Sequence, residues 1–167
     1  ASEGATFRRF FIQNPVCMPS RISFLTGQYP SSFRISHMGV PVPEDTLTLP
    51  RMLRPCGYTC GNIGKLHFLP HADRYHNEPH PNYGFDTLIN ADEPGCYDDA
   101  YRAWVRARAP EALDDISVGL PPAREKWESV LRPDTGIVHP VREKNGARTF
   151  PADESLTHTA FVADQTA

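Results

Sequence analysis

Hydrophobic positions along this chain come in short runs broken by proline, glycine and charge, so the pattern predicts many short elements. Residues 6–12 (TFRRFFI) gather β-branched and aromatic side chains around a charged break and predict a short strand, ended by a turn at Asn14-Pro15. Pro19 suits the first turn of a helix, where a missing N–H costs nothing, and Gly27 supplies its stop. Asp45 is placed to cap a second helix running through Arg54, with Pro50 in its first turns or kinking it. The small and apolar residues of 58–64 predict a buried strand. Residues 69–94, dense in Pro, His and Asn, predict a long loop ordered by its contacts. The clearest helical pattern is 98–109 (DDAYRAWVRARA), with acids at its start and arginines at its end, as the helix dipole favours. Residues 117–145 carry proline and charge with little periodicity and predict an exposed insertion. Residues 154–167 read as the opening turns of another helix, without a closing Gly or polar cap. With no Met at position 1 either, truncation at both ends is the expectation.

Composition narrows the partners. A chain of 167 residues, 40% hydrophobic and 22% charged, is about one domain and is long enough to bury a core without disulfides or a metal. Its 17 prolines, about twice the usual share, agree with short elements and many loops. A net charge of −3 argues against nucleic acid as the main partner, since phosphate binding shows as a basic excess. No apolar run approaches the roughly 18 residues of a membrane span, so a soluble protein is expected. Cys17, Cys56, Cys60 and Cys96 are too few for a disulfide scaffold and leave the compartment open.

The candidate chemistry begins at Cys17. It falls at the start of the first predicted helix, where unpaired N–H groups and the dipole favour an anion or a thiolate. Arg21, four residues on, projects from the same face. A reactive group beside a fixed guanidinium at a helix start is a plausible oxyanion site; an isolated pair of this kind reads more often as a structural Cys beside a surface Arg. In the second cluster, Lys65 and His67 stand two apart, which on an extended chain turns both to one face at a strand end. An ammonium and an imidazole converging there could bind a tetrahedral oxyanion and move a proton.

The strings themselves carry more. Cys17-Met18-Pro19-Ser20-Arg21, with Leu25-Thr26-Gly27 behind it and Asn14-Pro15-Val16 before it, resembles the sulfatase signature. Gly57-Tyr58-Thr59 through Gly64-Lys65-Leu66-His67 resembles the second signature of the same family, with Cys60 where a threonine or small residue is usual. A third segment, residues 154–164, is similar to the one in which sulfatases carry a further sulfate-contacting histidine, here His158. The resemblance implies an α/β fold, the alkaline-phosphatase-like sulfatase core with a mixed sheet flanked by helices. The chain would be a partial N-terminal catalytic domain over 1–167, incomplete at both ends. It implies hydrolysis of a small-molecule or carbohydrate sulfate ester, with Cys17 converted to formylglycine by a formylglycine-generating enzyme. The hydrated aldehyde would be the nucleophile and, as formylglycine, position 17 would also contact a calcium ion. In the same mapping Arg21 orients that group, Lys65 and His158 hold sulfate oxygens, and His67 is the base that helps release the product. The acidic calcium ligands of the family have no counterpart before Cys17, where no Asp occurs, and the family's later ligands are expected beyond Ala167.

Two alternatives share these residues: a phosphonate or phosphate monoester hydrolase with the same nucleophile, and a non-catalytic fragment without the metal ligands. A zinc reading of Cys56, Cys60, His67 and His71 fails on spacing, because a C2H2 finger wants about twelve residues between the two pairs. His71, Asp73, His76, Glu78 and His80 read as a solvated rim of the site.

Overall fold

The computed structural model describes residues 3–70, 80–119 and 149–167. At its centre are two short parallel strands, β1 (Gly61–Gly64) and β2 (Thr87–Asn90), paired in register from Gly61 against Thr87 to Gly64 against Asn90. Successive side chains of a strand face opposite ways, and β2 uses this to separate two cores. Leu88 packs with Ile22, Ile35, Val42, Leu66, Phe68, Tyr83 and Phe85. Ile89 packs with Ala91, Tyr101, Trp104, Val105, Ala112, Ile116 and Phe161. The result is the α/β layering expected, although the described sheet is parallel throughout and the mixed sheet is not seen among the described residues.

Helix α1 (Cys17–Thr26) lies on the first core through Ile22 and stops where the sequence predicts: Gly27 takes φ 69° and its N–H donates to the Ser23 carbonyl at 2.9 Å. A four-residue turn of helix, α2 (Pro30–Phe33), follows. The next helix differs from expectation. It is only α3 (Leu49–Leu53), continued by a 3-10 turn over Arg54–Cys56. Asp45 is exposed and outside it, and the N-cap is Thr48. Pro50 sits in the first turn, where it has no N–H to leave unpaired. The buried Thr48 hydroxyl donates to the Tyr83 carbonyl at 2.5 Å instead of capping the helix.

Three further expectations need correction. Residues 6–12 are not a strand: Phe7, Phe10, Phe11 and Ile12 are exposed, and among the described residues no segment pairs with them to give their β-propensity a ladder to act on. The strand expected over 58–64 begins only at Gly61 and is half-buried rather than enclosed, while Tyr58 is exposed. The loop expected over 69–94 contains β2, anchored by the buried Tyr83 and Phe85 just before it. Gly84, at φ 90°, passes so close to Arg51 that a Cβ there would meet the Arg51 Cγ at 2.4 Å.

On the second core, α4 (Ala100–Arg108) matches the predicted helix to within two residues. Asp99 is its N-cap, accepting from the N–H groups of Tyr101 and Arg102 at 3.1 and 3.2 Å. The last helix, α5 (His158–Thr166), follows a 3-10 turn over Glu154–Leu156 and is capped by Thr157, which accepts from the Ala160 N–H at 3.2 Å. Phe161 on α5 meets Tyr101 and Trp104 on α4, with ring centroids 5.6 and 5.7 Å apart. Of the predicted insertion over 117–145, only residues 117–119 are described, and of the His-rich rim only His80. No helix among the described residues is long and apolar enough to cross a membrane.

Candidate active site

The chain enters α1 through a local turn: the Asn14 Oδ1 accepts from the Val16 N–H at 2.8 Å, Val16 is extended, and the helix begins at Cys17. Cys17 is exposed, at the end of the helix whose first N–H groups have no partner within it. One turn on, the Arg21 guanidinium donates to the backbone carbonyl of Lys65. This bond spans 44 residues of sequence and brings the two signature segments together. Burial pushes the Arg21 pKa down, while the neighbouring Cys17 and Glu93 act in the opposite direction.

Lys65 leaves the end of β1, where Gly64 turns the backbone at φ 90°. The extended geometry that would place Lys65 and His67 on one face therefore ends before either residue. Lys65 lines an open cleft of about 340 Å³ with Arg21, Ser20, Asn62, Phe10 and Phe11. Its Nζ is 2.5 Å from the Glu93 Oε1. His67 is fully buried at φ 54° and is not among the residues lining that cleft.

His158 arrives from the far end of the chain. As the first residue of α5 it lies against the end of β1, and its Nε2 donates to the Ala91 carbonyl at 3.3 Å. Burial pushes its pKa below the usual value and the Lys65 charge acts in the same direction, against the Ala91 bond and Glu93. Arg21, Lys65 and His158 are thus all within electrostatic reach of one carboxylate.

That carboxylate, Glu93, escapes the sequence reading, which leaves it in a loop. So do Asn90 and Asp92, which hold its segment in place. The Asn90 Oδ1 accepts from the Leu66 N–H at 3.1 Å, and its Nδ2 donates to the Asp92 Oδ2 at 2.8 Å. The signal that could have found them is topological. Ligand sites of parallel α/β sheets lie beyond the carboxyl ends of the strands, and 87–90 carries the β-branched Thr87 and Ile89 in a short apolar stretch that ends three residues before Glu93.

Among the described residues, no group of three or more His, Cys, Asp and Glu side chains could hold a metal ion. The calcium that the resemblance implies has no such donor set among the described residues. His80 makes local contacts, with its Nδ1 2.8 Å from the Pro81 carbonyl and its ring 6.0 Å from Tyr83; His71, Asp73, His76 and Glu78 lie outside the described residues.

Comparison with known proteins agrees with the motifs. The family model described as Sulfatase matches residues 1–116. N-acetylgalactosamine-6-sulfatase of Homo sapiens is 30% identical over 132 residues, covering 71% of this chain and 24% of that protein. The Sus scrofa protein of the same name is 32% identical over 134 residues, again 71% and 24%. Arylsulfatase G of Mus musculus is 36% identical over 109 residues, covering 59% of this chain and 19% of the relative. The chain spans about a quarter or less of the length of these relatives.

Proposed function

The chain belongs to the sulfatase family, and on that premise we propose that it carries the nucleophile-bearing part of a sulfuric ester hydrolase. The observation that carries the reading is the Arg21–Lys65 hydrogen bond, which joins the Cys17 signature to the Lys65 signature at one cleft. Converted to formylglycine by a formylglycine-generating enzyme, position 17 would supply a hydrated aldehyde as nucleophile, splitting hydrolysis into two easier steps. Calcium belongs to the same proposal, with its remaining ligands supplied from outside the described residues.

The roles of the side chains follow from charge and place. Arg21 and Lys65 present two cations beside the helix start that carries Cys17, the arrangement that stabilises charge developing on transferred oxyanions. The guanidinium is fixed to the Lys65 backbone, while the Lys65 ammonium is held by its contact with Glu93. His158, with its Nε2–H held by Ala91, keeps its other ring nitrogen for the sulfate group or a water. The motif alone gives His67 the proton transfer that releases sulfate, since its side chain is fully buried and outside the cleft lining. Carbohydrate sulfates are the substrate class the names of the relatives suggest, since two of them are N-acetylgalactosamine-6-sulfatases.

The test is a mass spectrum of the tryptic peptide from Phe10 to Arg21, from protein made in its own host, beside an aryl sulfate assay of the full-length protein. An aldehyde in place of the thiol and chelator-sensitive turnover are expected. An unmodified thiol with no turnover overturns the proposal. A His67→Gln variant that leaves the pH–rate profile unchanged would remove His67 from the mechanism.

A further inference from the structure

Next to the cleft that gathers cations for an anion, and outside its lining, the protein holds an anion of its own. The Glu93 carboxylate lies 2.5 Å from the Lys65 ammonium and close enough to Arg21 and His158 for its charge to act on both. It is held there rather than swinging freely. Asn90 ties the backbone of the Lys65 segment to Asp92, the residue next to Glu93, so the carboxylate is carried to Lys65 by a braced turn. Only about a quarter of each side chain in the pair is exposed, so water screens the pair less than it would a surface pair.

We propose that Glu93 determines specificity from beside this cleft, through its ion pair with Lys65, offsetting one of the two cleft cations so that the described side chains favour a singly charged sulfate ester over a doubly charged phosphate monoester. The inference rests on the sulfatase reading and deepens it. The two ester classes share tetrahedral shape and oxygen acceptors, so hydrogen-bond geometry alone separates them poorly. Charge separates them well: a sulfate ester carries one negative charge, whereas a phosphate monoester carries about 1.5 to 2 near neutral pH. Arg21 and Lys65 together would suit the doubly charged group. With Glu93 beside them the net charge of the three falls to that of one cation, and the extra negative charge of a phosphate is opposed by the field of the nearby carboxylate.

The experiment uses the full-length protein and two unreactive probes of similar shape, benzenesulfonate and phenylphosphonate. Binding is measured by calorimetry above the second phosphonate ionisation. The wild-type protein is expected to prefer benzenesulfonate, and to lose that preference when the pH is lowered until the phosphonate carries a single charge. Glu93→Gln is expected to raise phenylphosphonate affinity relative to benzenesulfonate by about tenfold or more, an effect of the size fixed charges have in partly enclosed sites. Glu93→Asp keeps the charge and should stay near the wild-type ratio. Asp98→Asn removes a carboxylate that pairs with Arg106 on the surface of α4 and should change nothing. An unchanged ratio in Glu93→Gln overturns the inference, as does an equal loss of both probes that marks Glu93 as a prop for Lys65. If aryl sulfate turnover persists in either case, the functional reading stands without it. If the protein neither hydrolyses aryl sulfate nor binds either probe, the functional reading falls and the inference with it.

Discussion

His158 shows how one side chain reports on its surroundings. Its imidazole lies 5.1 Å from the aromatic ring of Tyr101 and feels the charges of Lys65 and Glu93. Burial is the largest influence and lowers its pKa from the ordinary 6.5. The sign of the consequence follows directly. The unfolded chain takes up a proton near the ordinary value while the folded chain resists it, so the folded state loses stability as pH falls from about 6.5 through the lower folded value. Urea midpoints measured from neutral to mildly acidic pH should therefore drop, and His158→Gln should flatten that part of the curve. An identical slope in the variant would assign the loss to other groups. The residue was legible in the sequence only through its neighbours in the motif, because nothing in the spacing of residues 154–164 says that Ala91 and Lys65 will lie against it.

At the scale of elements, the helix caps separate what local sequence decides from what it does not. Asp99 is followed by a strong amphipathic pattern, and its side chain accepts from two N–H groups, so the local signal and the structure agree. Asp99→Ala should cost about 1 kcal/mol in chemical denaturation. Asp45 offers the same local signal and yet caps nothing, because Thr48 is drawn into the core and the helix starts beyond it. Asp45→Ala should stay within about 0.5 kcal/mol of the parent; a loss as large as that of Asp99→Ala would show that the helix reaches back to Asp45. The two strand misreadings have one cause. A strand is stabilised by its partner, so the aromatic run of 6–12 failed to become one while the unremarked run of 87–90 succeeded beside β1.

For the whole molecule, the decisive contact is between α5 and the end of β1. Gly64 stands at φ 90°, and a Cβ there would lie 3.1 Å from the Val162 Cγ2 and 4.0 Å from the His158 ring. Gly64→Ala should therefore destabilise the fold by about 1–2 kcal/mol through backbone strain alone. It should also push α5 away from Lys65, lowering sulfate-ester turnover in the full-length protein more than the loss of folded protein explains. Wild-type stability in the variant would mean that the backbone relaxes without moving α5. The sequence by itself determined the family, the start and stop of α1, the body of α4, and Cys17, Arg21 and Lys65 as candidates, because these rest on local caps and on strings that are specific as written. The tertiary structure alone decided that β2 pairs with β1, that His67 turns into the interior, and that Glu93 stands beside Lys65. Each of those depends on which distant segment covers or charges a position, and residue spacing carries no record of that.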